Sequence, residues 1–305
     1  MLPGAKTPRC PRARCTILVQ RRVILGEQTR VISRECRSPG QPSDFACCHD
    51  TCRIRRFYIL TLVNLASDRV AMLQKIGFFR FVEKYGEPFP QLEAALSGHG
   101  GAVGGSLIVL PEAFNYGGSY SLDPPHPPRI SAVVALCKLA ELSGRYRVVF
   151  VVGLLVPPRN SAYLIRADEK PLLVGHKRTQ DHTRTYHPCG ADCGGYPFEC
   201  EGADIGVLIC KDTEIYARWL AEQLSRSRAS RKVICIPAHG FDGYLSGAHL
   251  HSRHWSNSYV VLANSAPYGT ESFIANRAGR KAEEALGPAG KLLLKTWDEL
   301  DSLRD

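Results

Sequence analysis

Residues 203–224, ADIGVLICKDTEIYARWLAEQL, join a buried strand directly to an amphipathic helix. The apolar run at 205–209 ends at Cys210, and apolar residues at helical spacing continue from Ile215 to Leu224. The same alternation continues along the chain in both directions. It predicts strands at 57–65, 107–110, 148–156, 205–209, 233–236 and 259–264, a hairpin of 162–166 with 172–174, and helices at 70–85, 130–142, 215–224 and 248–257. Gly144 is expected to end the second of these helices. Strands alternating with helices, without internal repeats, indicate a layered α/β domain.

The composition is that of a globular protein. The 305 residues are 44% hydrophobic and 22% charged, which excludes wholesale disorder, collagen and coiled coil. No stretch approaches the roughly 18 uninterrupted apolar residues of a membrane-spanning helix. The net charge of +10 is concentrated in residues 1–56, which carry 12 Lys and Arg against 4 Asp and Glu. Residues 57–305 are nearly neutral, so nucleic acid is not an expected partner of the body of the protein.

The first 56 residues are rich in Arg, Cys and Pro. We expect a poorly ordered extension at 1–56, followed by a single domain at 57–305. A targeting arm for an organelle and a tail that binds nucleic acid remain alternatives for the extension. A zinc knuckle is a third, weaker alternative, because its candidate ligands fit no standard zinc spacing. Those ligands are Cys47, Cys48, His49 and Cys52. No apolar signal sequence lies near Met1, so we expect a cytoplasmic protein with free thiols.

Three chemically reactive side chains each follow the end of a predicted strand. Glu112 follows LIVLP, Lys177 follows LLVGH and Cys210 follows GVLI. Because chemistry in open α/β sheets collects at the carboxyl ends of strands, we expect these side chains to meet. The thiol is a nucleophile as thiolate, a carboxylate can take its proton, and an ammonium can stabilise the developing oxyanion. Each residue alone is equally typical of packing or of a turn, so the prediction depends on all three.

The segments LIVLPEAF around Glu112, HK at Lys177 and GVLICKD around Cys210 resemble the carbon–nitrogen hydrolase (nitrilase) superfamily. Weaker similarity lies in FYILTLVN, VVGLLV, NSAYLI, IPAHG and SNSYVVLANSAPYG, so that the resemblance spans residues 57–290. It implies a four-layer α-β-β-α sandwich of the nitrilase type. It also implies a small amide, carbamoyl compound or nitrile as substrate, no cofactor or metal, and assembly into homodimers or larger homo-oligomers through helical faces.

The resemblance also assigns roles to the three residues. Glu112 is the general base, Cys210 is the nucleophile that forms a thioester, and Lys177 stabilises the tetrahedral intermediate. The backbone N–H of Lys211 is expected to share the oxyanion with Lys177, as backbone donors commonly do after a strand–turn–helix nucleophile. Tyr116, close after Glu112, is a candidate wall of the substrate pocket, although ordinary packing explains it equally well.

The sequence departs from the family pattern in two places. The family often has a second glutamate soon after the lysine, but Thr185 stands in that neighbourhood here. Acidic residues nearby are Asp181, Glu199 and Glu201, of which we retain Glu199 as the candidate. After the nucleophile, KDTEIYARW keeps Asp212 but lacks the usual Pro-Glu pair. These departures leave an alternative to catalysis: a catalytically weakened nitrilase-fold protein that serves in binding or assembly.

The segment HPCGADCGGYPFEC contains side chains that could bind zinc. They are His187, Cys189, Cys193 and Cys200. Their spacing matches no standard zinc site, so we interpret the segment as a loop with free thiols near the mouth of the site.

Overall fold

The computed structural model describes residues 72–81, 87–117, 127–156, 158–179, 195–239, 257–265, 272–282 and 292–303. The described helices are α1 (Pro88–Gly98), α2 (Ala132–Tyr146), α3 (Asp212–Ser225) and α4 (Trp297–Asp301). The described strands are β1 (Lys75–Phe79), β2 (Ser106–Val109), β3 (Val149–Val156), β4 (Arg159–Ile165), β5 (Leu172–His176), β6 (Phe198–Cys200), β7 (Ala203–Val207), β8 (Arg231–His239), β9 (Tyr259–Ser265), β10 (Phe273–Ala275) and β11 (Leu292–Thr296). None of the helices in these ranges is long and apolar enough to cross a membrane.

The strands form two sheets. The first has the order β11-β1-β2-β3-β4-β5, and the second has the order β10-β9-β8-β7-β6. In the first sheet β1, β2 and β3 run parallel. Strand β4 pairs antiparallel with both β3 and β5, so β5 runs in the same direction as β3. In the second sheet β7, β8 and β9 run parallel. Parallel strands buried on both faces read as continuous apolar runs, which explains why β3 and β8 were visible in the sequence.

Alternation along the strands divides the core into two layers. In β2, Leu107 and Val109 pack towards the second sheet, whereas Ile108 belongs to the cluster formed with α1 and α2. Helix α3 covers β7 of the second sheet, where Gly206 leaves room for Leu220: a Cβ at Gly206 would lie 2.6 Å from Leu220 Cδ1. The layers are therefore helix, sheet, sheet and helix, and the predicted four-layer α-β-β-α sandwich is confirmed.

The first described strand corrects the sequence prediction. The pattern at 70–85 predicted a helix, but Lys75–Phe79 is strand β1, paired with β11 on one side and β2 on the other. Ile76 and Phe78 face one core and Phe79 faces the other. Burial on both faces removes the polar positions that would have revealed the two-residue period of a strand. The strand predicted at 57–65 and the extension at 1–56 lie outside the described residues.

Other predicted elements differ from the structure mainly at their ends. The hairpin of β4 and β5, the strands at β2, β3, β7, β8 and β9, and helix α3 are confirmed. Helix α2 continues past Gly144 and ends at Tyr146, where Arg147 adopts the left-handed conformation. A glycine inside a helix costs only about 1 kcal/mol, so Gly144 did not stop it. Helix α1 was not predicted, and the helix predicted at 248–257 lies almost entirely outside the described residues.

Gly153 allows the two sheets to meet beside Glu112. A Cβ at Gly153 would lie 2.9 Å from Glu112 Cα and 3.2 Å from Pro237 Cβ. The Glu112 N–H in turn donates to Ala238 O at 3.3 Å, so the backbone after β2 is fixed against β8. A side chain at Gly153 must displace backbone rather than a flexible side chain.

We therefore expect Gly153→Ala to lower the free energy of unfolding by about 1–3 kcal/mol through overpacking. Gly144→Ala is the matched control. Gly144 lies within helix α2, and an added Cβ there would have ordinary contact with Ala167 Cβ, at 3.9 Å. That control is expected to gain up to about 1 kcal/mol from its helix propensity. Urea unfolding of both variants measures the difference, and equal stability of Gly153→Ala and the unmodified protein would contradict the close approach.

Candidate active site

The structure brings together the three residues predicted from the strand ends. Glu112 follows β2, Lys177 follows β5 and Cys210 follows β7, and each side chain is buried. Lys177 Nζ lies 2.8 Å from Glu112 Oε1, forming an ion pair whose partners are 4% and 1% exposed. The Cys210 thiol is close enough to both charges for each to affect its titration. A carboxylate, an ammonium and a thiol thus share one buried site.

Cys210 occupies a sharp turn between β7 and α3. Its φ of +48° is left-handed, a conformation that residues other than glycine rarely adopt. The Cys210 N–H donates to Pro237 O at 2.9 Å, and the Thr213 N–H and hydroxyl both donate to Cys210 O. The turn is therefore held from both sides. It places Cys210 just before the amino end of α3. The N–H of the next residue, Lys211, donates to no other described residue.

Burial raises the pKa of the Cys210 thiol to about 12, and the charge of Glu112 acts in the same direction. The charge of Lys177 opposes both effects, as does a hydrogen bond with the backbone of His239. Burial and the Glu112 charge thus favour the protonated form of the thiol. Such a cysteine becomes a nucleophile only if a base removes its proton during the reaction.

Glu112 is held asymmetrically. Its Oε1 accepts hydrogen bonds from Lys177 Nζ and from Asn160 Nδ2, whereas Oε2 is buried and accepts from no N–H or O–H group of the described residues. Sequence reasoning missed Asn160, although NSAYLI was part of the resemblance. The available signal was the polar start of β4, whose first three residues are Arg159, Asn160 and Ser161.

A buried carboxylate joins the lysine segment to the nucleophile helix. Asp212 accepts the N–H groups of Arg178 and Thr179 and the Thr179 hydroxyl, at 2.8–3.0 Å. Burial raises the pKa of Asp212, and these hydrogen bonds oppose the shift. The Arg178 guanidinium lies over Trp219 of α3, 4.2 Å from the ring centroid. These contacts fix the segment that carries Lys177 against α3. The sequence matched Asp212 to the family pattern but gave it no role.

The three additional candidates are placed differently. Lys211 is the N-terminal cap of α3, next to the nucleophile, as expected. Tyr116 lies in the turn after Glu112 and packs with Ala113 and Leu155, and burial raises its pKa. Glu199 is not brought to the trio.

Glu199 lies on β6 opposite Asp204, near the amino end of β7, whereas Cys210 follows the carboxyl end of that strand. Its carboxylate accepts from the Gly202 N–H at 3.4 Å, as expected for a turn residue. The structure therefore does not support Glu199 as the second acidic group.

The four side chains of 187–200 that were considered as zinc ligands lie largely outside the described residues. His187, Cys189 and Cys193 are not described, and Cys200 is buried in β6, where burial raises its pKa to about 12. Across the ranges that are described, no three His, Cys, Asp or Glu side chains form a cluster that could bind a metal ion.

Part of the chain matches a known protein family in sequence. Residues 87–231 match the family model for carbon-nitrogen hydrolases, a range that includes all three strand-end residues. This part of the chain is therefore similar in sequence to carbon-nitrogen hydrolases. No sequence among curated proteins matches it significantly.

Solved structures of amidases and of a nitrilase-superfamily member share the fold. An amidase from Nesterenkonia sp. is 20% identical, with a TM-score of 0.53 over 77% of this chain and 94% of the amidase. Nit3 from Saccharomyces cerevisiae, a member of branch 10 of the nitrilase superfamily, is also 20% identical, with a TM-score of 0.53 over 76% and 94% of the two chains. A mutant of the amidase from Nesterenkonia sp. AN1, 19% identical with a TM-score of 0.53 over 76% of this chain and 96% of the mutant, shows Michael addition of acrylamide at its active-site cysteine.

Proposed function

We propose that this protein is a thiol-dependent carbon–nitrogen hydrolase that cleaves C–N bonds of small non-peptide compounds through a thioester at Cys210. The observation that carries the proposal is the buried pair of Lys177 and Glu112 beside a thiol held at a strained strand–helix turn. Cys210, Glu112 and Lys177 are the expected nucleophile, base and oxyanion stabiliser.

The first half-reaction forms the thioester. Glu112 accepts the thiol proton while Cys210 Sγ bonds to the carbonyl carbon, whose oxygen becomes negative. The Lys177 ammonium and the Lys211 N–H stabilise that oxygen, in a site from which burial excludes most water. When the carbonyl re-forms, the C–N bond breaks, and Glu112 returns the proton to the departing nitrogen.

The second half-reaction releases the acid. Glu112 takes a proton from water, and the resulting hydroxide attacks the thioester carbon. The C–S bond breaks, and the proton held by Glu112 restores the Cys210 thiol. One carboxylate therefore serves as acid and base in both halves, which explains why its ionised form must be stabilised in a buried site.

The burial of the trio favours a small acyl group, since Glu112, Lys177 and Cys210 are at most 8% exposed. We propose a small amide, a carbamoyl compound or a nitrile as substrate. The similar Nesterenkonia amidase makes the amide the first of these to test. Homodimers or larger homo-oligomers, expected from the family resemblance, remain a prediction.

The experiment is intact-mass spectrometry after incubation with panels of small amides, carbamoyl compounds and nitriles, together with an assay for released ammonia. We expect one acyl adduct per chain, located at Cys210 by peptide mapping, and ammonia release with at least one panel. The Cys210→Ala variant is the blank. A folded protein that yields neither adduct nor ammonia with any panel would instead favour the catalytically weakened protein for binding or assembly.

A further inference from the structure

The ladder between β4 and β5 places Asn160 next to the catalytic lysine. The Lys177 N–H donates to Asn160 O at 2.8 Å, just beyond the pair formed by Ser161 and His176. Asn160 is 2% exposed, so the position of its amide is fixed by packing. Its side-chain nitrogen and Lys177 Nζ both donate to one oxygen of Glu112, Oε1.

We propose that Asn160 is a positioning residue that decides which oxygen of Glu112 acts as the base. This inference rests on the proposed function. With Oε1 held by two donors, the carboxylate cannot rotate without breaking both bonds. Oε2 is then the oxygen that exchanges a proton with the Cys210 thiol.

Two physical arguments support this assignment. A carboxylate oxygen that already accepts two hydrogen bonds holds negative charge more stably and is a weaker proton acceptor, whereas Oε2 has no N–H or O–H donor among the described residues. In addition, an asparagine amide is an uncharged donor. It stabilises the ionised carboxylate without placing a second positive charge beside the Lys177 ammonium.

The test measures how the base ionises, without relying on an identified substrate. The rate of Cys210 carbamidomethylation by iodoacetamide is followed against pH by peptide mass spectrometry, which separates Cys210 from the other cysteines. In the unmodified protein we expect the rate below neutral pH to rise with the ionisation of a carboxyl group. Glu112→Gln should remove this acidic limb and so identify it.

Loss of the Asn160 donor should move the limb to higher pH, because the charged form of Glu112 loses a stabilising hydrogen bond. For Asn160→Ala we expect a shift of about 1 pH unit, equivalent to about 1.4 kcal/mol. Asn160→Asp keeps the size of the side chain and adds a second negative charge, so its shift should be larger; it also carries the test if the alanine variant does not fold. Circular dichroism checks folding.

Ser161→Ala is the matched control. It removes the neighbouring hydrogen bond to His176, at 2.8 Å, without touching Glu112, and should leave the limb in place. An unmoved limb in both Asn160 variants, with the limb still lost in Glu112→Gln, would overturn the positioning role and leave the proposed function standing. An equal shift in Ser161→Ala would also overturn it. If the unmodified protein shows no acidic limb, the base role of Glu112 and this inference fall together.

Discussion

Cys210→Ser is expected to lose at least about 10⁴-fold in turnover of any substrate that releases ammonia from the unmodified protein. The serine hydroxyl is a far weaker nucleophile than the thiol. It also holds its proton more tightly, so the carboxylate of Glu112 removes that proton less readily. The acyl adduct should disappear from the intact-mass spectrum as well. Ammonia release and mass spectrometry measure the two effects independently.

Cys200→Ala is the matched control for the loss of a buried thiol. Cys200 is 1% exposed on β6, and burial raises its pKa to about 12, as it does that of Cys210. It pairs with Ala203 at the amino end of β7, whereas Cys210 follows the carboxyl end of that strand, so its replacement should lower stability while turnover persists. Turnover retained by Cys210→Ser, or lost equally in Cys200→Ala, would exclude the thioester mechanism.

The location of the trio could be predicted from the sequence because it depends on a simple geometric rule. The apolar runs at 107–110 and 205–209 mark strands β2 and β7, and each strand ends within three residues of a reactive side chain. Once those runs are recognised as parallel strands, their carboxyl ends must lie at one edge of each sheet. The stacking of the sheets then brings Glu112 from one and Cys210 from the other into contact.

The rest of the site depends on tertiary contacts that leave no local pattern. Asn160 acts across two strands on a carboxylate 48 residues earlier, and Asp212 fixes the backbone of Arg178, 34 residues earlier. From the sequence alone, Asn160 indicates only the end of a strand and Asp212 only the start of a helix. The second acidic group was sought near Glu199 by distance along the chain, which failed because β6 runs antiparallel to β7 and carries Glu199 away from the site.

The first strand was missed for a different reason. Lys75–Phe79 has apolar side chains on both faces, so the spacing of Ile76 and Phe79 is equally compatible with a helix. Only its pairing between β11 and β2 decides its conformation. Fully buried central strands are thus the elements that a period-based analysis separates least well from helices.

Removal of the lysine alone should damage stability as well as activity. Lys177→Met is expected to lower the free energy of unfolding by about 3–5 kcal/mol, because it leaves the buried Glu112 carboxylate without its cation. It should also abolish turnover. In Lys177→Met the unpaired Glu112 should bind a proton more readily in the folded state than in the unfolded state. The free energy of unfolding of this variant should therefore rise as the pH falls. Urea unfolding at several pH values measures the effect.

The double variant Glu112→Gln/Lys177→Met separates the two consequences. With both charges removed, no buried ion lacks a partner, so most of the lost stability should return, whereas turnover should not. The exposed pair of Arg218 and Glu222, 3.0 Å apart with side chains 77% and 53% exposed, provides the contrast: Arg218→Met should cost no more than about 1 kcal/mol. If the double variant were as unstable as Lys177→Met, the penalty would come from lost packing of the lysine chain rather than from the unpaired charge. If the double variant kept its activity, the pair could be neither the base nor the oxyanion stabiliser.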